Sequence, residues 1–213
     1  MKAEPLHGLH VLADDDPRWK HDPVVLARAA CEGGASVVQL RAKHATDREI
    51  LAWGESIRDA TRASGLLFLV NDRFDLALAC DADGVHLGQG DLPPARVPAA
   101  LRAKLVVGRS THDDDELEAA RGEPVDYVAF GPVFETGSKR GALPGRGIDR
   151  LAAAVERVAG RPLVAIGGID VARAPAVREA GAAGIAVIGA VAGADDPVGA
   201  VRALARAWRG AAP

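Results

Sequence analysis

Residues 36–70 read SVVQLRAKHATDREILAWGESIRDATRASGLLFLV, and this stretch contains a complete strand–helix–strand unit. Its two ends, Ser36–Arg41 and Leu66–Val70, are short runs rich in Val and Leu, as is typical of buried strands. Between them, Thr46–Ser64 has helical periodicity and starts with the capping-box sequence TDRE. A helix that connects two consecutive strands in this way predicts that the strands are parallel.

The same unit recurs along the whole chain. Eight short apolar runs predict strands at Leu9–Ala13, Ser36–Arg41, Leu66–Val70, Gly84–Leu87, Leu105–Gly108, Tyr127–Gly131, Leu163–Gly167 and Gly184–Ile188. Eight helical segments alternate with them, at Asp22–Glu32, Thr46–Ser64, Asp72–Cys80, Pro93–Ala103, Asp113–Arg121, Ile148–Ala159, Asp170–Ala180 and Asp196–Arg209. Eight units of about 27 residues in a chain of 213 predict an α/β fold, a single-domain (β/α)8 TIM barrel over residues 1–213.

An open, doubly wound sheet is the alternative to the barrel. Such a sheet usually has fewer strands, and a glycine-rich turn that binds a dinucleotide follows its first strand. Here the first strand runs into Asp14-Asp15-Asp16-Pro17, which does not suit a pyrophosphate. The sequence therefore favours the barrel.

Composition excludes several classes of protein. The 26 basic and 29 acidic residues give a formal charge of −3, whereas nucleic-acid and membrane-surface binders usually carry a basic excess. Two cysteines, Cys31 and Cys80, are too few for a disulfide framework or a four-ligand zinc site. No apolar run approaches the roughly 20 residues that span a bilayer, and no signal-peptide core follows Met1. We therefore expect a cytoplasmic protein with no nucleic-acid or membrane partner.

Polar residues at the ends of the second, third and fourth strands predict a cationic, metal-assisted site. The two-residue alternation of a strand places three side chains on one face, namely Gln39, Arg41 and Lys43. This face points into the interior if the strand belongs to a closed barrel, and to solvent if it is an edge strand. Asp72 and Asp91 follow the next two strands, although Asp72 alone is equally well explained as a helix cap. Mg²⁺ typically uses one or two carboxylates together with substrate oxygens, so this set predicts a Mg²⁺ ion that holds a phosphate chain.

The remaining four strands predict a second anionic site. Ser110-Thr111-His112 offers hydroxyls for a ligand or, alternatively, a helix cap and a packing imidazole. The long loop Glu135–Gly147 is rich in glycine, hydroxyls and cations, which indicates a mobile lid that contacts phosphate. Gly168 and Gly189 follow the last two strands, as in the backbone phosphate site of TIM barrels. His86 is interpreted as a core residue, and the two sites together predict an enzyme that joins or rearranges phosphorylated small molecules.

Seven motifs occur in an order that is characteristic of one enzyme family. They are Gln39-Leu-Arg41-Ala-Lys43, Asn71-Asp72-Arg73, Gly84-Val-His-Leu-Gly-Gln-Gly-Asp91, Gly108-Arg-Ser110-Thr-His112, Asp126-Tyr-Val-Ala-Phe-Gly-Pro-Val-Phe134, Thr136-Gly-Ser138-Lys139 and Ala165-Ile-Gly-Gly-Ile169. Over nearly the whole chain they resemble the thiamine-phosphate synthase family. The resemblance implies a transferase that couples hydroxymethylpyrimidine pyrophosphate to thiazole phosphate with the help of Mg²⁺. It implies that the substrates are small phosphorylated molecules, and it is compatible with a homo-oligomer.

The resemblance also implies a role for each matching residue. The residues that would contact the pyrimidine pyrophosphate are Gln39, Arg41, Lys43, Asn71, Ser110 and Lys139. Those that would hold Mg²⁺ are Asp72 and Asp91. Those that would surround the thiazole phosphate are Thr136, Ser138, Gly168, Ile188 and Gly189. Because pyrophosphate leaves first in this family, the catalytic groups would be those that neutralise its charge, namely Arg41, Lys43, Ser110 and Lys139.

One departure and two alternatives accompany the resemblance. Ser138 stands where the family more usually has Thr, which keeps the hydroxyl. A sister family of thiazole tautomerases shares the barrel and the phosphate site but uses a His as proton carrier, which His112 matches. Asp72 and Asp91 favour the synthase, because a tautomerase needs no metal. The second alternative is a barrel that binds a phosphorylated ligand without catalysis. The intact set of cationic and acidic residues at the strand ends argues against it.

Overall fold

The computed structural model describes residues 6–138, 143–158 and 160–210. Eight parallel strands follow one another around a closed barrel, and the last strand pairs with the first. The strands are β1 (Gly8–Asp14), β2 (Val37–Arg41), β3 (Leu67–Asn71), β4 (Gly84–Leu87), β5 (Val106–Thr111), β6 (Tyr127–Phe130), β7 (Leu163–Ile166) and β8 (Gly184–Val187). The predicted TIM barrel is confirmed.

Helices connect the strands. They are α1 (Pro23–Gly33), α2 (Asp47–Ser64), α3 (Phe74–Ala79), α4 (Ala99–Arg102), α5 (Asp114–Gly122), α6 (Ile148–Arg157), α7 (Ala174–Glu179), α8 (Gly189–Ala192) and α9 (Pro197–Arg209). The predicted capping box of α2 is confirmed, because the Glu49 carboxylate accepts from the backbone N–H of Thr46 at 2.8 Å. A short additional helix, α8, lies between the eighth strand and the final helix. None of the helices in the described ranges is long and apolar enough to cross a membrane.

Some predicted boundaries are wrong. The predicted helix over Pro93–Ala103 divides into a 3₁₀ turn, Pro94–Arg96, and the single turn of α4. Pro98 explains the division, because it lacks an N–H donor and holds Val97 in an extended conformation. The helices predicted at Asp72 and Asp170 begin later, at α3 and α7. Residue 159, the predicted end of the sixth helix, lies outside the described residues.

The side chains separate into a lumen and an outer layer. A small apolar cluster fills the lumen and includes Leu12, Leu69, Val106 and Tyr127, whereas a larger cluster lies between the strands and the helices. The alternation of β5 continues to Thr111, three residues beyond the predicted end, so Ser110 belongs to the lumen face of the strand. All the carboxyl ends meet at one rim of the barrel, and the predicted site residues within the described ranges lie there.

Candidate active site

A buried ion pair closes the carboxyl end of β2. Gln39 is only 4% exposed, and the sheet has no free edge, so the edge-strand alternative for this face is wrong. The guanidinium of Arg41 donates to Asp14, the fully buried last residue of β1, and the strand register pairs the two residues. Trp19 Nε1 and the backbone N–H of Asp16 donate to the other Asp14 oxygen at 3.0 and 2.9 Å. Both oxygens of this carboxylate are therefore satisfied, and the direction of Arg41 is fixed.

Two carboxylates stand next to this pair, at the ends of β3 and β4. Asp72 directly follows Asn71, the last residue of β3, and forms an ion pair with Lys43. Its backbone is left-handed, with φ of 68°, a conformation that Asp adopts more readily than most residues. Burial raises the pKa of the Asp72 carboxyl, and the neighbouring Asp91 carboxyl raises it further, whereas Lys43 lowers it. The helix-cap alternative for Asp72 is wrong, because Arg73 occupies the N-cap position of α3.

This pair of carboxylates fits a divalent cation. Two neighbouring carboxylates repel each other when both are ionised, and a cation between them relieves this repulsion. Mg²⁺ prefers oxygen ligands of this kind. Asp91 is held at the strand end because the backbone N–H of Gly88 donates to its Oδ2 at 2.6 Å. Across the residues that the structure describes, no group of three or more His, Cys, Asp or Glu side chains is placed to hold a metal ion. Mg²⁺ on one or two carboxylates completes its shell with water or phosphate oxygens.

A cavity of about 200 Å³ opens at the ends of β5 to β8. Its walls are mainly glycine backbone, hydroxyl groups and small aliphatic side chains, and they include Ser110, Thr136, Ser138, Gly168, Ile188 and Gly189. Gly168 has φ of 61°, and a Cβ there would lie 2.5 Å from the carbonyl oxygen of Glu135, so no side chain fits. The amino end of α8, at Gly189 and Ala190, also lines the cavity and has no side-chain cap. Such a surface can bind an anion through backbone N–H groups.

Ser110 is anchored between the two halves of the rim. His86 bridges it to the lumen, because Nε2 lies 2.8 Å from Ser110 Oγ and Nδ1 lies 2.7 Å from Tyr127 Oη. Burial raises the pKa of the Tyr127 phenol, which therefore stays protonated. The interpretation of His86 as a core residue is confirmed by its burial, but its bond to Ser110 was not predicted. The cap alternatives for Ser110 and Thr111 are wrong, because Asp113 caps α5.

His112 lies at the wall of the same cavity. Its Nδ1 and its backbone N–H contact Glu116 Oε2 at 2.8 and 2.7 Å. The carboxylate orients the imidazole, as a carboxylate does in proton-transferring pairs. A purely structural, packing role for His112 therefore does not account for its position on the cavity wall.

The sequence analysis did not find every residue that shapes this rim. Besides Asp14, it missed Arg18, which donates to the carbonyl oxygens of Gly137 and Ser138 at 2.7 Å each. It also missed the role of Arg109, which donates to the carbonyl oxygen of Gly88 at 2.6 Å and so supports the loop that carries Asp91. Lys139 lies outside the described residues, and its predicted role, like the mobility of the lid, stays a prediction.

Comparison with known proteins agrees with the geometry. Residues 9–191 match the family described as thiamine monophosphate synthase. The thiamine-phosphate synthase of Chloroflexus aurantiacus is 47% identical over 196 residues, which cover 92% of this chain and 90% of the relative. That of Chlorobium phaeovibrioides is 46% identical over 184 residues, which cover 86% and 88%.

A solved structure extends the similarity to three dimensions. The thiamine phosphate pyrophosphorylase of Pyrococcus furiosus is 39% identical, and its structure matches this one with a TM-score of 0.87 over 97% of both chains. Sequence and structure thus agree over most of the length of each relative. The chain belongs to the thiamine monophosphate synthase family and is an enzyme of the transferase class.

Proposed function

We propose that this enzyme couples hydroxymethylpyrimidine pyrophosphate to thiazole phosphate and produces thiamine phosphate and pyrophosphate. The observation that carries the proposal is the division of one rim into two anion-binding halves of different chemistry. Charged groups at β2 to β4 suit a leaving pyrophosphate, whereas the largely uncharged cavity at β5 to β8 suits a phosphate that stays on its substrate. Family membership and the names of the relatives support the same reaction.

In this proposal the charged half binds the pyrimidine pyrophosphate. Arg41, fixed by Asp14, and Lys43 donate to the pyrophosphate oxygens, together with Gln39, Asn71 and, from the loop beyond Ser138, Lys139. Asp72 and Asp91 would hold Mg²⁺, which would neutralise negative charge on the departing pyrophosphate. Lys43 then exchanges its contact with Asp72 for one with the substrate.

The proposed chemistry needs no nucleophile from the protein. The C–O bond to pyrophosphate breaks first, and the electron pair leaves with pyrophosphate. The resulting resonance-stabilised pyrimidine cation is then captured by the thiazole nitrogen. Ser110, held by His86, donates its hydroxyl to the leaving group, so the chain contributes charge stabilisation and alignment.

The thiazole phosphate occupies the cavity in this proposal. Thr136 and Ser138 donate hydroxyl groups to the phosphate, while Gly168, Ile188 and Gly189 donate backbone N–H groups. Ser138 in place of the more usual Thr keeps the donor. A cytoplasmic location, the absence of nucleic-acid and membrane partners, and a homo-oligomeric state remain predictions from the sequence.

The proposal is tested by incubating the purified chain with both substrates, with Mg²⁺ or with excess chelator. We expect thiamine phosphate only in the presence of Mg²⁺. Formation at an undiminished rate in chelator contradicts the metal assignment. Binding of thiazole phosphate without any turnover favours the non-catalytic barrel.

A thiazole tautomerase is the second candidate, and the His112–Glu116 pair on the cavity wall favours it. The two carboxylates Asp72 and Asp91 favour the synthase, because moving a proton within the thiazole requires neither a metal nor a pyrophosphate site. We expect His112→Ala to leave most of the synthase turnover in place. If the wild type isomerises the thiazole without metal and His112→Ala removes this activity, the tautomerase is the function.

A further inference from the structure

The loop between β1 and α1, residues 15–22, touches both halves of the rim. We propose that Arg18 in this loop is a positioning residue, which holds the segment Thr136–Ser138 against the amino end of α8 and thereby sets the affinity for thiazole phosphate. The inference rests on the proposed function in one respect only, namely that this cavity is the thiazole phosphate site.

The contact of Arg18 crosses a large distance in sequence. Its Nη1 and Nη2 donate to the carbonyl oxygens of Gly137 and Ser138, which lie 119 and 120 residues later, at 2.7 Å each. Charged donors on two neighbouring carbonyl groups fix the orientation of both peptide planes. In a trans peptide the N–H points away from the C=O, so the bond to Gly137 O directs the Ser138 N–H the other way. That N–H donates to Thr136 Oγ1 at 3.2 Å, which closes a small turn at the cavity wall.

Arg18 is itself fixed before any ligand binds. It forms an ion pair with Asp16 at 3.0 Å, and its guanidinium stacks over the ring of Trp19 at 4.7 Å. The Trp19 indole is anchored in turn by the bond from its Nε1 to Asp14. A guanidinium with two fixed neighbours loses little conformational freedom when it binds the two carbonyl groups.

The same loop also meets the other wall of the cavity. A Cβ at Gly189 would lie 3.5 Å from the Trp19 ring and 2.8 Å from Ser138 Oγ. Trp19 and Ser138 thus both border the amino end of α8. Arg18 joins these two neighbours, so its loss should loosen Ser138 relative to Gly189 and widen the phosphate site.

The rest of the loop has attachments of its own. Lys20 forms an ion pair with Asp195, and His21 Nε2 contacts the carbonyl oxygen of Ala194 at 3.0 Å. Asp14 and Arg41 form their pair without any contribution from Arg18. Removing the Arg18 guanidinium should therefore act mainly on the thiazole phosphate half, and it should reach the pyrophosphate half only through Lys139, which follows Ser138 in the sequence.

The test compares Arg18→Met, which keeps an apolar side chain over Trp19 but removes the donors, with Arg18→Lys, which can satisfy one carbonyl. Arg28→Met, on the exposed face of α1, is the matched control. We expect Arg18→Met to raise both the KM and the calorimetric Kd for thiazole phosphate about tenfold, the effect of losing a modest part of two charged hydrogen bonds. We expect an intermediate rise in Arg18→Lys and unchanged values in the control. The KM for the pyrimidine pyrophosphate should rise clearly less than the KM for thiazole phosphate in Arg18→Met.

The outcomes separate the inference from the proposed function. If Arg18→Met and Arg28→Met have the same Kd for thiazole phosphate, Arg18 does not position the loop, whatever the wild type catalyses. A parallel rise of both KM values with a lower melting temperature shows a general structural role and also overturns the inference. If the wild type makes no thiamine phosphate, the proposed function fails, while the calorimetric comparison still decides the role of Arg18.

Discussion

Asp72 shows how one residue can join the backbone to the chemistry of this rim. Its left-handed conformation ends β3 and turns the carboxylate toward Lys43 and Asp91. The raised pKa of Asp72 reflects two carboxylates that burial and proximity destabilise in their charged form. A divalent cation bound by this pair would offset both penalties, so metal binding and the ionisation of the pair would be coupled.

At the scale of single residues, we predict the effect of removing one negative charge from the pair of carboxylates. Asp72→Asn and Asp91→Asn should each lower kcat by at least about 100-fold at a fixed Mg²⁺ concentration, because the leaving pyrophosphate loses its neutralising cation. Steady-state kinetics measure the effect, and Asp59→Asn on the exposed face of α2 is the control. Wild-type kcat in both variants would show that these carboxylates hold no catalytic metal.

Part of the residue-level arrangement could be predicted from the sequence. The two-residue alternation predicted that Gln39 and Arg41 share a face, because strand geometry fixes that property locally. The alternation also puts Asp14 in the same phase as Leu12, but nothing local indicates that Asp14 is the partner of Arg41. That pairing depends on the register between β1 and β2, which only the closed barrel defines.

At the scale of secondary-structure elements, the cavity depends on glycine residues that follow two strands. Gly168 and Gly189 lie where β7 and β8 end, and Ser138 crosses in front of Gly189. The glycines after these strands were predictable because this arrangement recurs in TIM barrels. The sequence analysis predicted one continuous helix over Pro93–Ala103 and missed its division. Pro98 is the residue from which the division could have been predicted.

We predict that Gly189→Val blocks this cavity. A Cβ already lies 2.8 Å from Ser138 Oγ, and a branched side chain extends into the space proposed for the phosphate. The Kd for thiazole phosphate should rise at least about tenfold, as measured by calorimetry.

Gly122→Val, at the end of α5 with no atom within 4 Å of its added Cβ, serves as the control. Equal affinity in Gly189→Val and the wild type would contradict the assignment of the phosphate to the amino end of α8.

For the whole molecule, a histidine in the barrel predicts how stability depends on pH. His10 faces the lumen, contacts the carbonyl oxygen of Leu6 at 2.8 Å and packs edge-on against Tyr127. Burial lowers its pKa to about 4 from 6.5, and this effect exceeds the opposing one of the Leu6 bond. Above pH 6.5 both the folded and the unfolded chain leave this imidazole neutral, whereas between pH 6.5 and 4 mainly the unfolded chain takes up the proton.

Stability should therefore be lost as the pH falls through this window, by about 3 kcal/mol in the free energy of unfolding once the pH is below 4. We expect His10→Gln to reduce the fall in the free energy of unfolding across this range, measured by urea denaturation. His44→Gln, at an exposed position, should keep the wild-type fall. An identical pH profile in His10→Gln and the wild type would show that His10 is not the source of the loss.

The barrel itself could be predicted because eight repeats of one unit over 213 residues leave few other arrangements. The contact of Arg18 with Gly137 and Ser138 could not, since it joins loops far apart in sequence that meet only when the barrel closes. The two anionic halves were predicted from residues at strand ends. Their separation across the rim, with Ser110 between them, required the register of all eight strands.

The most direct measurement follows pyrophosphate and thiamine phosphate together in one reaction that contains the enzyme, both substrates and Mg²⁺. We predict that the two products form at the same rate and in equal amounts, because one bond breaks for each bond that forms. Release of pyrophosphate without thiamine phosphate, or the absence of both products, would contradict the proposed coupling of the two substrates.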